Sequence, residues 1–271
     1  MKDYPRFVTP DFKPFDPVVL ARETEKIVCS GNKRKYTDFY ATGVYGGIAT
    51  GYTVGCCLRC IFCWVDFGRE YPERFGKFYS PEEAFKKLKE AAEKYNVRKM
   101  RISGAEPTIC REHLLSLLEI FERSNFELFI LETNGILFGI DPDYVKEIAK
   151  FKGVYTRISL KAGTPEEFTK KTGAVGDAFE IPFQAIKNLI RYKARFHVAA
   201  MSADPRIMKP DERINLIKKL MDIDPKIALM LEEEVVDPYR TTIFRLKKAN
   251  VKLDWPLKEV YTPVKKWIKQ L

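Results

Sequence analysis

Cysteines are concentrated in one short stretch of this 271-residue sequence. Cys56, Cys60 and Cys63 follow the spacing C-x3-C-x2-C, and Cys57 is adjacent to the first of them. Three thiolates on one short loop can bind three corners of a cubane [4Fe–4S] cluster, and the fourth iron then remains free for an exogenous ligand. The residue types and their spacing therefore predict an iron–sulfur site.

A zinc site and a ferredoxin-type cluster fit these cysteines less well. A zinc site would need a fourth cysteine or histidine nearby, and the two histidines, His113 and His197, lie far along the chain. A ferredoxin-type electron carrier would need a fourth cluster cysteine followed by proline, and none follows. Triples that contain Cys57 are also arithmetically possible, and we favour Cys56, Cys60 and Cys63 as the ligands.

This loop and three later motifs resemble the radical S-adenosylmethionine (SAM) superfamily. Residues 103–107 (Ser-Gly-Ala-Glu-Pro) resemble the family's Gly-Gly-Glu-Pro motif, and residues 132–135 (Glu-Thr-Asn-Gly) end a predicted strand as in many members. Residues 159–173 resemble the pyruvate formate-lyase activating enzyme group, which usually has Asp where Ser159 stands. The resemblance covers about residues 46–232.

The resemblance implies an enzyme with one [4Fe–4S] cluster and SAM as cofactors. Such an enzyme cleaves SAM reductively to a 5′-deoxyadenosyl radical, which abstracts hydrogen from a substrate. The amino and carboxylate groups of SAM would chelate the open iron, and the cofactor would carry the difficult chemistry. No catalytic residue beyond the cluster ligands is assigned.

The resemblance also implies which residues contact SAM. Gly104 and Ala105 would present backbone groups to the methionine moiety, although Ala105 adds a Cβ where the family has a second glycine. Glu106 would hold the amino group, or else cap the helix that begins near residue 111. Trp64 would lie against the adenine, or else pack in the core.

Later strand ends supply the remaining candidates. Ser159 and Lys161 alternate on a strand and so face the same side, where they could reach the SAM ribose or carboxylate. Thr133 and Asn134 are weaker candidates, because Asn-Gly is also an ordinary turn. Side chains at the ends of the fifth and sixth strands could face the substrate or form a solvated acidic turn: Met201, Asp204, Glu232, Glu233 and Glu234.

Three cysteines stay outside this assignment, and no second cluster is expected from them. Residues 111–271 hold no cysteine with which a further cluster module could be built. Cys110 follows the Glu106 loop and is either a thiol hydrogen donor or a buried small apolar residue. Cys29 and Cys57 have no assigned role.

The elements that must position these residues alternate between strands and helices. Six β-rich runs are separated by amphipathic segments, which is typical of a parallel sheet built from βαβ units. We predict an α/β fold with a partial (β/α)6 barrel at residues 46–239, an N-terminal arm or cap at 1–45 and a basic C-terminal extension at 240–271. An open doubly wound sheet is the alternative. The predicted strands are 49–54, 97–103, 126–133, 154–160, 195–201 and 226–232, and the helices are roughly 80–94, 111–123, 141–151, 182–193, 210–221 and 238–248.

The charge of +10 is unevenly distributed. Residues 240–271 carry +7, whereas residues 46–239 are nearly neutral. This C-terminal segment could follow an RNA phosphate backbone, or it could be a solvated lysine-rich face. In the second case its apolar residues would pack against the barrel; they are Phe244, Trp255, Tyr261, Trp267 and Ile268.

Substrate and partners are the least determined features. The subgroup resemblance favours a protein or peptide substrate, the basic segment favours RNA, and a small metabolite is a third option. A reductant protein of the ferredoxin or flavodoxin type is expected as partner. A non-enzymatic electron carrier is a different class, but it would leave residues 103–107 and 159–161 unexplained.

Composition sets the remaining bounds. Hydrophobic residues make up 45% and aromatic residues 13% of the chain, which excludes a disordered protein. No run approaches 18 apolar residues, and the first residues do not resemble a targeting peptide, so we expect a cytoplasmic protein without membrane contact. Two Gln among many Lys and Glu are typical of thermophile proteins.

Overall fold

The structure is a computed structural model that describes residues 4–267. One sheet runs through these residues in the order β1-β2-β3-β5-β6-β7-β8-β9, and β4 pairs with β2. The strands are β1 (Cys29–Ser30), β2 (Lys33–Thr42), β3 (Ile48–Thr53), β4 (Lys77–Tyr79), β5 (Lys99–Gly104), β6 (Leu128–Thr133), β7 (Val154–Leu160), β8 (Phe196–Ala200) and β9 (Glu232–Glu233). The six strands from β3 to β9, leaving out β4, are parallel, and the sheet does not close.

Helices connect the parallel strands. α4 packs against α7, α2 packs on β2 and β3, and α8 contacts α9. The helices are α1 (Pro17–Val28), α2 (Pro81–Lys94), α3 (Arg111–Glu122), α4 (Ile136–Ile140), α5 (Pro142–Ile148), α6 (Pro165–Thr172), α7 (Ile181–Arg191), α8 (Pro210–Ile223), α9 (Pro225–Leu229), α10 (Arg240–Lys248) and α11 (Val264–Trp267).

Local capping explains where several helices begin. The Ser80 hydroxyl accepts a hydrogen bond from Glu83 N while the Glu83 carboxylate accepts one from Ser80 N, so that α2 starts with a complete capping box. Thr164 caps α6 in the same way through Glu167 N, and Gly173 ends that helix at a φ of 75°. These starts follow from short-range sequence and do not depend on the rest of the fold.

The predicted α/β fold with a partial barrel is confirmed by the six parallel strands of the open sheet. One strand prediction was wrong. Residues 226–232 were expected to be extended, but α9 occupies most of them, and only Glu232 and Glu233 pair with β8. The reason is local, because Asp224 caps the segment through Lys226 N and Pro225 occupies the first turn.

The two terminal regions contact the sheet and its loops. Residues 33–42 form β2, which pairs antiparallel with β3 and so extends the sheet on one edge. In the C-terminal segment, α10 lies against the loop that follows β3. The boundaries at residues 45 and 239 stay predictions. Trp267 was expected to pack, but its side chain and Ile268 lie outside the described part of the chain.

The sheet separates an apolar layer from a polar cavity. On β5, Met100 and Ile102 are buried against the helices, whereas Arg101 and Ser103 line a cavity of about 970 Å³. The same alternation holds on β7, where Ile158 belongs to the apolar core. Because strand side chains alternate with period two, the inward positions of β3, β5, β6, β7 and β9 face this cavity, and Met201 lines it just after the end of β8.

Candidate functional site

The cysteine-rich loop borders the cavity at the carboxyl end of β3. Cys56, Cys60 and Cys63 are free and line the cavity together. Cys57 is also free, but it is fully buried and is not among the cavity-lining residues. We call residues 54–66 the cluster loop.

Backbone hydrogen bonds hold the cluster loop against α6. Arg59 N donates to Thr172 O at 2.8 Å, and Ile61 N donates to Lys171 O at 2.9 Å. The Lys171 ammonium is itself buried in an ion pair with Glu212. The cluster loop thus takes its shape from residues about 110 positions later in the chain.

The protonation of the thiols differs along the loop. A hydrogen bond with Cys57 lowers the pKa of the Cys56 thiol to about 7, whereas the same contact and burial raise the pKa of Cys57 well above its usual value. Burial raises the pKa of Cys60 to about 11. Metals bind the thiolate, and of Cys56, Cys57 and Cys60 the first is the most readily ionised.

The donor set fits a cluster better than a single metal ion. Three free thiols line one cavity, which matches a cubane with three cysteine ligands. Within residues 4–267, no three His, Cys, Asp or Glu side chains are grouped closely enough to share one ion. The fourth thiol of the cluster loop, Cys57, already has a partner, because the Asn134 side-chain amide donates to its Sγ at 3.3 Å.

Gly104 ends β5 in a conformation that requires glycine. Its φ is 93°, and a Cβ there would lie 3.1 Å from Thr53 N and 3.2 Å from Thr53 O. The next residue, Ala105, carries its Cβ without this constraint and donates its N–H to Thr53 O at 3.3 Å. Both residues line the cavity.

Glu106 joins the loop after β5 to the end of β6. Its carboxylate accepts hydrogen bonds from Thr133 Oγ1 at 2.6 Å, from Asn134 N at 2.9 Å and from Thr108 Oγ1 at 2.7 Å. Glu106 is 1% exposed. The structure therefore brings together Glu106, Thr133 and Asn134, and the alternative in which Glu106 caps α3 is not seen, since α3 has no side-chain cap.

Ser159, Lys161 and Trp64 also border the cavity. The Lys161 ammonium donates to Ser159 Oγ at 2.6 Å, as expected for inward positions two apart on one strand. Trp64 is 40% exposed at the rim, edge-on to Tyr52 and next to Tyr239. It is not a core residue. The SAM contacts of all these side chains stay predictions.

Sequence reasoning missed an ionic network in the cavity. Arg101 pairs with Glu132 at 3.0 Å, and Arg157 makes two bonds to Glu232, of 2.9 and 3.0 Å. Ser103 and Tyr45 donate to Glu132 as well, and Arg157 reaches Glu234 at 2.7 Å. The signal was available, because charged residues occupy alternate positions of predicted buried strands.

Two of these carboxylates, Glu132 and Glu232, have lowered pKa values. Although burial acts in the opposite direction, Arg101 and Arg157 hold the pKa of Glu132 below its usual value. Burial likewise opposes the shift at Glu232, but hydrogen bonds from His197 and Arg157 lower its pKa to about 2. The cavity floor therefore consists of charged pairs that are already formed before any ligand binds.

Two of the residues expected to face the substrate do not line the cavity. Asp204 is buried and makes an ion pair with Arg206, and Glu233 accepts from Arg213 at 2.6 Å. Met201, Glu232 and Glu234 do line the cavity. For Glu233 the reason is strand alternation, which turns its side chain to the side opposite to Glu232 and Glu234.

Cys110 is joined to Cys29 by a disulfide with a Cα–Cα distance of 5.8 Å. It is therefore not a free thiol, and the role of hydrogen donor considered from the sequence was wrong for this form of the protein. The buried Arg34 donates to Cys110 Sγ at 3.5 Å and to Glu106 O at 2.9 Å. The disulfide thus lies directly behind the loop that carries Glu106.

Among the described residues, no helix has the length and apolar composition needed to cross a membrane.

Comparison with known proteins identifies the family to which the residues of this site belong. The sequence profile described as Radical SAM superfamily matches residues 51–202. A probable GTP 3′,8-cyclase of Methanococcus maripaludis is 29% identical over 180 residues, which are 66% of this chain and 55% of that protein. One of Thermococcus kodakarensis is 27% identical over 140 residues, which are 52% of this chain and 42% of that protein. The chain spans about half the length of the curated relatives it matches.

A solved structure shares the fold. Streptococcus suis SuiB bound to S-adenosylmethionine matches with a TM-score of 0.52 and 17% identity, over 80% of this chain and 45% of that chain. The profile covers more than half of the chain, including the cluster loop and the ends of β5, β6 and β7. The subgroup of activating enzymes stays a prediction. The chain belongs to the radical SAM superfamily, and it is an iron–sulfur enzyme whose cofactors are a [4Fe–4S] cluster and S-adenosylmethionine.

Proposed function

We propose that this enzyme abstracts hydrogen from a small molecule held in the cavity between the cluster loop and the paired charges of the sheet. One observation carries the proposal: Cys56, Cys60 and Cys63, the Gly104–Glu106 motif and the inward residues of β5, β6, β7 and β9 line a single cavity of about 970 Å³. Pockets of roughly 300–1,000 Å³ suit small ligands. The volume lies at the upper end of this range, which supports small molecules as the ligands of the cavity.

The chain's own residues divide into two groups. Cys56, Cys60 and Cys63 would hold the cluster, which when bound supplies the electron that cleaves SAM to methionine and a 5′-deoxyadenosyl radical. Glu106 holds Thr133 and Asn134 at the carboxyl end of β6, where they would meet the methionine moiety. Lys161 offers a cation to the SAM carboxylate.

The second group would orient the substrate. Arg101 and Arg157 are about nine-tenths buried and are held rigidly by Glu132 and Glu232. Such pairs present fixed donors and acceptors to a bound molecule without reorganising. Glu234 and Met201 line the same cavity.

The charges argue against a triphosphate substrate, although the relatives are named GTP 3′,8-cyclases. A triphosphate needs cations that are not already neutralised. Of the described cations that line the cavity, Arg69, Arg101 and Arg157 are paired with carboxylates, and Lys161 is the one without a carboxylate partner. We therefore propose a substrate without a polyphosphate group.

A deuterium-transfer assay tests this function. The reconstituted enzyme, SAM and a strong reductant are mixed with a deuterated cell extract that has been divided into small-molecule, RNA and protein fractions. We expect deuterium in 5′-deoxyadenosine from the small-molecule fraction and none from deuterated GTP. Transfer from the protein or RNA fraction alone would overturn the small-molecule substrate, and absence of 5′-deoxyadenosine would overturn the radical reaction.

Two further expectations and two alternatives accompany the proposal. The electron would come from a ferredoxin- or flavodoxin-type protein, since radical SAM enzymes need a donor. The protein or peptide substrate favoured by the subgroup resemblance, and RNA binding through residues 240–271, are the alternatives that the fractionated extract separates. The cytoplasmic location stays a prediction.

A further inference from the structure

Each predicted cluster ligand has its backbone carbonyl oxygen hydrogen-bonded to a different buried arginine. The pairs, each at 2.7 Å, are Arg59 with Cys56, Arg69 with Cys60, and Arg245 with Cys63. The three arginines are 1–2% exposed. We propose that they are positioning residues that hold the cluster loop in its metal-binding shape and make the bound cluster easier to reduce. This inference rests on the proposed function of the same site.

One carboxylate links two of these arginines. Arg245 binds Glu70 through a two-bond fork, with Nε to Oε1 and Nη2 to Oε2 both at 2.7 Å, and Arg69 donates Nε to the same Oε1 at 3.0 Å. Glu70 is fully buried. The forked geometry fixes the guanidinium planes, which a flexible surface ion pair would not do.

Arg245 comes from the C-terminal segment. Besides Cys63 O, it donates to Val65 O and, at 2.9 Å, to Asp66 O. Thr242, one turn earlier on α10, donates to Cys63 O at 3.3 Å. Arg245, which the sequence analysis counted in the basic C-terminal extension, therefore supports the structure of the cluster loop.

The charge of this group has a predictable effect on a cluster. Arg59, Arg69 and Arg245 together with Glu70 carry a formal excess of two positive charges. A cluster held by thiolates becomes more negative when it gains an electron, and nearby net charge is one of the factors that set its reduction potential. Buried cations are weakly screened and so favour the reduced form.

Two substitutions are expected to shift the potential in opposite directions. Arg245→Met removes a cation, and we expect the reduction equilibrium to become about tenfold less favourable, which is about 59 mV for one electron. Glu70→Gln removes an anion, and we expect a shift of the opposite sign. An EPR-monitored redox titration of the reconstituted proteins measures both. General destabilisation would not produce opposite signs.

A conservative variant separates charge from geometry. Arg245→Lys keeps the cation but cannot make the fork with Glu70 and the carbonyl bonds together. We expect its potential to stay near wild type, while iron is lost to a chelator several-fold faster. In the apoprotein, hydrogen exchange at residues 56–66 should also rise. Lys247→Met, on the exposed side of α10, is the matched control and should change none of these quantities.

The outcomes distinguish this inference from the proposed function. If wild type takes up no iron, the proposed function fails and this inference fails with it. If wild type loads its cluster and cleaves SAM but Arg245→Met keeps the wild-type potential and chelator resistance, this inference alone is overturned. If Arg245→Met does not fold, an unchanged potential in Glu70→Gln would overturn it.

Discussion

The carboxylate of Glu106 and the hydroxyl of Thr133 share a hydrogen bond of 2.6 Å that ties the loop after β5 to the end of β6. The same carboxylate accepts from Asn134 N, and the Asn134 side chain reaches Cys57 in the cluster loop. Of the predicted SAM-binding residues, Glu106, Thr133 and Asn134 are therefore one connected unit with the cluster loop. A substitution at Glu106 should therefore affect both the end of β6 and the cluster loop.

Glu106→Gln tests this unit. The amide can accept hydrogen bonds through only one of its two ends, so at least one of the donors from Thr133 or Asn134 loses its partner. We expect a loss of about 1–3 kcal/mol in the free energy of unfolding and weaker SAM binding, measured by urea titration and equilibrium dialysis. Thr133→Ser, which keeps the hydroxyl, is the control, and Thr133→Val should resemble Glu106→Gln. Unchanged SAM binding in Glu106→Gln would contradict the connection.

The cysteine assignment is tested by single substitutions. Reconstituted wild type should hold about four irons per chain, the content of one cubane. Alanine at Cys56, Cys60 or Cys63 should abolish the cluster, whereas Cys57→Ala should retain it, because Cys57 does not line the cavity. Iron analysis and the visible absorbance of the cluster measure the outcome. Retention in Cys56→Ala with loss in Cys57→Ala would exchange the two assignments.

The disulfide between Cys29 and Cys110 should contribute to stability. It closes a loop with a sequence separation of 81, for which the chain-entropy estimate is about 4.5 kcal/mol. We expect Cys29→Ala to lower the free energy of unfolding under non-reducing conditions and to differ little from wild type in reductant. Equal stabilities of the two proteins without reductant would show that the disulfide is not formed in solution.

His113 should make stability depend on pH. Burial lowers its pKa to about 4; in the neutral ring Nδ1 donates to Asn32 O at 3.0 Å, and Nε2 accepts from the Tyr36 hydroxyl at 2.8 Å. Since the unfolded chain binds this proton near pH 6.5, the neutral histidine contributes stability above that value, and the contribution is lost as pH falls towards 4. The loss reaches up to about 3 kcal/mol. His113→Gln should flatten the difference between unfolding curves at pH 4.5 and 7; an unchanged difference would contradict the assignment.

The exposed lysines of the C-terminal segment test RNA binding. For about five phosphate contacts on a single strand, the affinity should fall with a log–log salt slope of roughly −3.5. We expect no such slope. Thr242 and Arg245 pack α10 against the cluster loop, and we interpret Lys247 and Lys248 as the solvated face of this packed helix. Filter binding at two salt concentrations measures it, and a steep slope that Lys247→Glu and Lys248→Glu flatten would establish the RNA site.

Local sequence signals were sufficient to predict most of the helices and strands. The Ser80–Glu83 capping box and the first-turn proline of α2 predict that helix without knowledge of its neighbours. The same kind of signal is present at Asp224 and Pro225, where the apolar run that suggests a strand begins with the cap of a helix. Apolar content alone does not separate a short buried helix from a strand.

The sequence by itself determined the chemistry, because cluster ligation depends on residue type and on the local spacing of Cys56, Cys60 and Cys63. The alternation of Ser159 and Lys161 likewise follows from strand geometry. Only the tertiary structure decided which distant residues pair. The ion pairs Arg157–Glu232 and Arg245–Glu70 and the disulfide Cys29–Cys110 join residues that are 75, 175 and 81 positions apart. Such pairs form because the folding of the sheet and the packing of α10 against the cluster loop bring distant segments together, and no local pattern encodes that approach.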